Sequence, residues 1–172
     1  MKQVVIKAIA TTDLKQIQTI GKQTFLETFA DTNTTEDMEQ YLNKNFSVKQ
    51  LTKELNNPHS AFYCATINDC AVGYLKVNWS HAQTEKQDKQ ALEIERIYVL
   101  KIFHGNKVGQ LLYDKAFEIA QQKESKFLWL GVWEHNPRAI RFYEKNGFVA
   151  FDKHIFTVGT DKQTDILMKL ML

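Results

Sequence analysis

A chain of 172 residues can bury one full hydrophobic core, and 44% hydrophobic with 24% charged residues is the balance of a globular protein, not of a disordered or membrane-spanning one. The 22 basic residues nearly cancel the 20 acidic ones, which leaves a formal charge of +2 and no basic excess to argue for a nucleic-acid partner. Cys64 and Cys70 make no disulfide framework and lack zinc-ligand spacing, and no stretch of ~18 apolar residues occurs, so free thiols, a cytoplasmic location and no membrane partner are expected.

The chain carries only Pro58 and Pro137, with no low-complexity linker and no repeat, so a single domain over 1–172 is expected. Val4 to Ile9 predicts a strand. Thr11 or Thr12 then caps a helix whose apolar positions Leu14, Ile17, Ile20 and Phe25 recur at helical spacing. Thr34 and Ser47 are good N-cap residues for two shorter helices, over 35–45 and 48–55, the second ending before Asn57-Pro58. From Ala61 the pattern shortens to apolar runs at 61–67, 71–78 and 92–100, which predict strands, the first two separated by the turn residues Asn68-Asp69 that the cysteines flank. A helix is expected over 108–122. The unbroken apolar run 127–133 predicts a strand buried on both faces. Asn136-Pro137 starts and Asn146-Gly147 stops one more short helix, and strands at 148–156 and 164–170 complete the chain. The order describes an α/β fold around one mixed sheet.

Three segments carry chemistry. The stretch His104-Gly105-Asn106-Lys107-Val108-Gly109-Gln110 joins a strand to a helix through a polar loop, which directs backbone N–H groups and a helix N-terminus at one spot, an arrangement that favours phosphate. An ordinary strand-to-helix connection has the same composition. Tyr143, on the short helix after the buried strand, is either a core aromatic or a phenol able to protonate a leaving thiolate. Glu93 and Glu95 share one face of a strand expected to lie centrally. They either bind and deprotonate an amine or form a salt bridge with Arg96 or another base. A cluster of Glu27, Asp31, Glu36 and Asp37 near the end of the first helix is either solvated surface or an acceptor-binding rim. No histidine spacing suggests a metal.

Together these segments resemble the GCN5-related N-acetyltransferase (GNAT) superfamily, in which the loop pattern Q/R-x-x-G-x-G/A receives the coenzyme A pyrophosphate. Here it reads His104-Gly105-Asn106-Lys107-Val108-Gly109, with His104 where Gln or Arg is usual and Lys107 in place of the first glycine. The lysine retains its backbone N–H and adds a charge that phosphates favour. Within the superfamily the chain is similar to the PaiA-type spermidine/spermine N-acetyltransferases, through Glu27-Thr28-Phe29, the run from Leu92 to Tyr98, the run from Trp129 to Glu134, and Gln163-Thr164-Asp165.

The resemblance implies a mostly antiparallel sheet of about seven strands flanked by helices. It implies acetyl-CoA as cosubstrate without a metal, and direct attack of a primary amine on the thioester. Ile97, Tyr98 and Val99 would pair with the pantetheine arm, Asn136 would contact it, and Lys145 would join the cofactor set. Glu93 and Glu95 match positions of the family's proposed base, and Tyr143 its acid. Glu27, Asp31, Glu36 and Trp133 are the expected acceptor-binding residues. The expected acceptor is a polyamine, with a protein N-terminus or lysine as the alternative, an acetyl-CoA-binding module without turnover as the alternative of another class, and a homodimer left open.

Overall fold

The computed structural model describes residues 3–85 and 87–172. After β1 (Val5–Ala8) the chain turns into α1 (Leu14–Phe29), whose entry is fixed by the Asp13 carboxylate accepting from the Ala10 N–H at 3.0 Å. Ile17, Ile20, Gly21, Thr24 and Phe25 form its buried stripe, the i, i+3, i+4, i+7, i+8 pattern of an amphipathic helix. Helices α2 (Thr35–Asn45) and α3 (Val48–Leu55) follow, capped as expected by Thr34 and Ser47, whose hydroxyls each accept an N–H three residues on at 3.1 Å. Strands β2 (Ser60–Ile67), β3 (Cys70–Trp79) and β4 (Ala91–Val99) form a meander. Helix α4 (Val108–Gln122), β5 (Phe127–Trp133), α5 (Pro137–Lys145), β6 (Val149–Val158) and β7 (Asp161–Met171) complete the chain.

The seven strands form one sheet in the order β1-β2-β3-β4-β5-β7-β6. Every neighbour is antiparallel except β4 and β5. Helices α4 and α5 cover one face, over a core that includes Leu75, Leu92, Leu112 and Leu130; α1, α2 and α3 cover the other through Ile17, Phe25, Met38 and Leu51. Placing β4 at the centre gives it helices on both sides, which is why Leu92 and Glu93 are both buried although they point opposite ways. Cys64 and Cys70 are free thiols, the first buried and the second exposed. Among the described residues no helix is long and apolar enough to cross a membrane.

Three expectations need correction. The last two strands are longer than their apolar runs, because Val158 pairs with Asp161 across a tight Gly159-Thr160 turn and the polar residues 161–163 continue the ladder. The buried Asp37 carboxylate holds that turn, accepting from the Thr160 N–H at 2.8 Å, so it is a structural anchor and not part of an acidic rim. Strand β5 is buried on both faces only in part: Leu128, Leu130 and Val132 enter the α4 core, but Gly131 opens onto a cavity.

Candidate active site

The cavity arises from a defect in the sheet. Between β3 and β4 the register runs Lys76 to Arg96 and then Val77 to Ile94, which leaves Glu95 as an extra residue on β4. Such a bulge adds local twist and bends the strand that carries it. On the other side, β4 pairs with β5 only at 91–93 against 127–129, and beyond Glu93 the two parallel strands diverge. The β4 edge from Ile97 to Val99 therefore faces open space of about 600 Å³ instead of a neighbouring strand. Unpaired strand edges bind extended chains, and an amide-bearing arm is one.

One end of the cavity is bounded by the start of α4. His104, Gly105, Lys107, Val108, Gly109 and Gln110 line it, and the N–H groups of Val108, Gly109 and Gln110 have no backbone carbonyl partner, as at any helix start. Lys107 is the N-cap and sits in the left-handed region at φ 61°, which explains why a glycine suits this position. A Cβ on Gly109 would meet only Val99 Cγ2, at 3.9 Å. Asn136, Ala139, Phe142 and Tyr143 of the α5 segment close the opposite wall. The Asn136 carboxamide caps α5 by accepting from the Ala139 N–H at 3.1 Å. Arg138, which sequence reasoning did not single out, also lines this wall, with its guanidinium against His104 Nδ1; His104 Nε2 in turn lies 2.8 Å from the Val99 carbonyl. The Tyr143 phenol is buried, and burial raises its pKa far above the ordinary tyrosine value, which keeps the proton on oxygen.

The other end is aromatic and acidic. Phe29, Tyr41, Tyr98, Trp133 and Phe156 stand around it with Glu93 and Asp165. Phe29 contacts both Trp133 and Phe156 at ring separations of 5.4 and 6.0 Å, so α1, β5 and β6 share one aromatic wall. Residues 83–85 close over it: Gln83 accepts from the Trp129 indole at 2.7 Å, and Glu85 pairs with His154 at 2.5 Å. Burial raises the pKa of Asp165, an effect that nearby His154 reduces and Glu85 adds to.

Glu93 and Glu95 differ sharply. Glu93 is 3% exposed, with Oε2 accepting from the Asn78 amide at 2.9 Å and the Thr84 N–H at 2.8 Å, and Oε1 against the Thr84 hydroxyl. Burial first and the neighbouring Glu95 charge second push it up to about 7, against which its hydrogen bonds work. Glu95 is paired with Lys76 at 2.5 Å and Arg96 at 3.1 Å. Burial would raise it too, but the charges of Arg96 and Lys76 and the bonds from Lys76 and Asn78 outweigh burial and hold it below the usual glutamate range. The salt bridge to Arg96, one of the two readings of this strand, is thus found at Glu95 and not at Glu93.

Glu27, Asp31 and Glu36 do not line the cavity, and neither do Asn106 and Lys145. The Glu27 carboxylate instead accepts from the Lys101 N–H at 2.8 Å, tying α1 to the segment after β4. Of the four expected acceptor residues only Trp133 faces the cavity. The sequence did hold a signal for the buried set behind it: Lys76 and Asn78 interrupt an otherwise apolar strand at spacing two.

The model of the Acetyltransferase (GNAT) family matches residues 20–148. The chain belongs to the GNAT family. Over its whole length it is 39% identical to an uncharacterised N-acetyltransferase encoded in the pepI 3′ region of Lactobacillus delbrueckii subsp. lactis, of which it covers 99%. It is 26% identical to an uncharacterised N-acetyltransferase of Mycobacterium bovis over 91% of this chain and 96% of that one. Its fold matches the crystal structure of the PaiA N-acetyltransferase from Thermoplasma acidophilum in complex with coenzyme A, with a TM-score of 0.80, 20% identity and 99% of each chain covered. The GNAT chain described here is an acetyltransferase whose mixed, mostly antiparallel seven-stranded sheet is that expected from its sequence.

Proposed function

We propose that this enzyme transfers acetyl from acetyl-CoA to a primary amine by direct attack, with Glu93 as base and Tyr143 as acid. One observation carries the reading. The parting of β4 and β5 brings an unpaired strand edge, a helix start with free N–H groups, a buried phenol and a carboxylate titrating near neutrality into one cavity. The helix start suits the pyrophosphate and the β4 edge suits the pantetheine arm. The attacking nitrogen forms a bond to the acetyl carbon and gives a proton to the Glu93 carboxylate, directly or through the Thr84 hydroxyl beside it. The carbon–sulfur bond breaks, and the Tyr143 phenol gives its proton to the thiolate. A base with a pKa of about 7 is well matched to this task at neutral pH.

For the acceptor we infer a polyamine. Its methylene segments suit the aromatic wall of Phe29, Trp133 and Phe156, its ammonium groups suit ring faces, and Asp165 offers a carboxylate away from Glu93. This places acceptor recognition inside the cavity and gives Glu27, Asp31 and Glu36 no part in it. The test is a panel of amines and peptide N-termini assayed for acetyl-CoA-dependent thiol release. Spermidine and spermine are expected among the best acceptors, and Asp165→Asn should raise their KM with little change in kcat. Efficient acetylation of a peptide N-terminus with polyamines untouched would overturn the acceptor and leave the chemistry standing. No acetyl transfer to any amine, despite tight acetyl-CoA binding, would overturn the enzyme reading in favour of a binding module.

A further inference from the structure

Around Glu93 lies a layer of buried polar side chains to which the proposed chemistry gives no direct role; Glu95 and Arg96 line the cavity, and Asn78, Lys76 and Glu54 stand behind them. Asn78 on β3 is fully buried, and its amide nitrogen donates to Glu93 Oε2 at 2.9 Å and to Glu95 Oε2 at 2.6 Å. Its amide oxygen lies 2.7 Å from the hydroxyl of Ser60, the residue opposite it on β2, which donates to it. The neighbours fix the sense of this amide, because the reverse orientation would set its oxygen against two carboxylates. Glu95 is immobilised in turn. Besides its own bonds to Lys76 and Arg96, both cations reach Glu54 on α3, at 3.0 and 3.1 Å. Two acids and two bases balance within this ring, and the member that faces Glu93 through Asn78 is a carboxylate.

We propose that Asn78 and Glu95 are positioning residues for the base Glu93. Asn78 orients the Glu93 carboxylate through one amide hydrogen and ties it through the other to Glu95, which Lys76 and Arg96 hold as a fixed neighbouring anion. The inference rests on Glu93 being the base. It gives the bulge at Glu95 a purpose: the extra residue lets Glu95 and Arg96, consecutive in sequence, both join the ring on the Glu93 side of the sheet. It also predicts opposite signs for two neighbouring substitutions. Removing the anion at Glu95 takes a like charge from Glu93 and leaves Lys76 and Arg96 in excess, so Glu93 releases its proton more readily. Removing the Asn78 amide takes away a donor that favours the charged form, so Glu93 holds its proton more tightly. Among the described residues, the other titratable groups near Glu93 are Glu54 within the ring, His154 and Asp165 on the cavity wall, and Glu85 paired with His154; both substitutions leave all four in place.

The measurement is the titration of Glu93 in the free protein, followed by the carboxyl carbon signal of protein labelled at glutamate and assigned by its loss in Glu93→Gln. The midpoint in the unaltered chain is expected near neutrality. Glu95→Gln should move it down by about one pH unit, Asn78→Ala up by about one, and Ser60→Ala up by less, with the acidic limb of kcat/KM following each shift. If Glu95→Gln does not fold, Lys76→Met reads the same field with the opposite sign and should move the midpoint up. Midpoints that stay fixed, or that move the same way in Glu95→Gln and Asn78→Ala, would overturn the inference. Glu93→Gln separates the two readings: near-normal turnover there removes the base and this inference with it, whereas lost turnover combined with fixed midpoints overturns this inference alone.

Discussion

The two ends of the cavity are built by different means. The cofactor end uses mainly backbone: a strand edge left unpaired beyond Glu93, the N–H groups that open α4, and the α5 start that the Asn136 side chain caps. The acceptor end uses side chains drawn from α1, α2, β3, β4, β5, β6, β7 and residues 83–85, held by burial and by long-range ion pairs. Substitution should therefore act differently at the two ends. Apart from the Tyr143 phenol, which carries the proposed acid, a side-chain change should do little at the first unless it blocks the backbone, whereas at the second it should alter charge, titration and rate together.

The largest expected effect tests the acceptor end. Glu93→Gln is nearly isosteric, since a glutamine oxygen can still accept from the Asn78 amide and the Thr84 N–H while its nitrogen donates to the Thr84 hydroxyl. Turnover should fall by about a thousandfold, within the range for losing a general base. Stability should move the other way. Because the folded-state pKa is raised from 4.5 to about 7, the folded state binds the extra proton across that window, and stability is full below about 4.5 and lost as pH rises through 7. At pH 8 the variant should thus be more stable by up to about 3 kcal/mol, and at pH 4 no more stable, as thermal melts at both pH values would show. Equal melting temperatures at pH 8 would mean that Glu93 carries no burial penalty.

Tyr143→Phe comes next, with a loss of turnover of about a hundredfold. The Tyr143 ring packs against Phe142 and Phe148 at 5.3 and 5.6 Å, contacts that phenylalanine retains, so the melting temperature should stay within a few degrees. Unchanged kcat at saturating substrates would make Tyr143 a core aromatic and nothing more.

How much of this the sequence revealed follows the same division. Helices α2, α3 and α4 and strand β5 have the bounds expected from caps and periodicity, because Thr34, Ser47 and the apolar stripes act locally. The local structure that brings most of the loop 104–110, Asn136 and Tyr143 to the cavity was legible for the same reason: turn, cap and helix start are written in consecutive residues. The acceptor end was not. Glu27, Asp31 and Glu36 looked like a rim because they are close in sequence, but Glu27 turns to the Lys101 N–H and the other two stay on the surface. Asp165, Asn78 and Thr84 reach the cavity or its rear wall only through pairings 15 or more residues away or through a loop closing over the sheet. The bulge that sets Glu95 apart from Glu93 depends on the register with β3, which no local pattern encodes.

At the cofactor end, Gly109→Ala separates folding from binding. The added methyl would meet only Val99 Cγ2 at 3.9 Å, and alanine is the better helix former by about 1 kcal/mol, so the protein should be as stable or slightly more so. If the pyrophosphate lies against this backbone, acetyl-CoA should bind about tenfold more weakly, measurable by calorimetry. Unchanged affinity would move the phosphates off the α4 start.

The smallest effect is at Lys107, where backbone and side chain can be told apart within one residue. Its φ of 61° puts a bulky residue in a left-handed conformation that costs a non-glycine residue about 1 kcal/mol. Glycine removes that strain but gives back part of the gain through its freer unfolded chain, so Lys107→Gly should raise the melting temperature by only about 1 to 3 °C. Lys107→Ala retains the left-handed strain and removes the charge. If this end binds through backbone N–H groups, both variants should hold acetyl-CoA within about threefold of the unaltered protein, with glycine at least as tight as alanine. The ammonium of an exposed lysine contributes a screened attraction worth little at physiological salt. A loss of tenfold or more that is equal in the two variants, and that shrinks at high salt, would show the lysine charge and not the helix start to be the phosphate receptor.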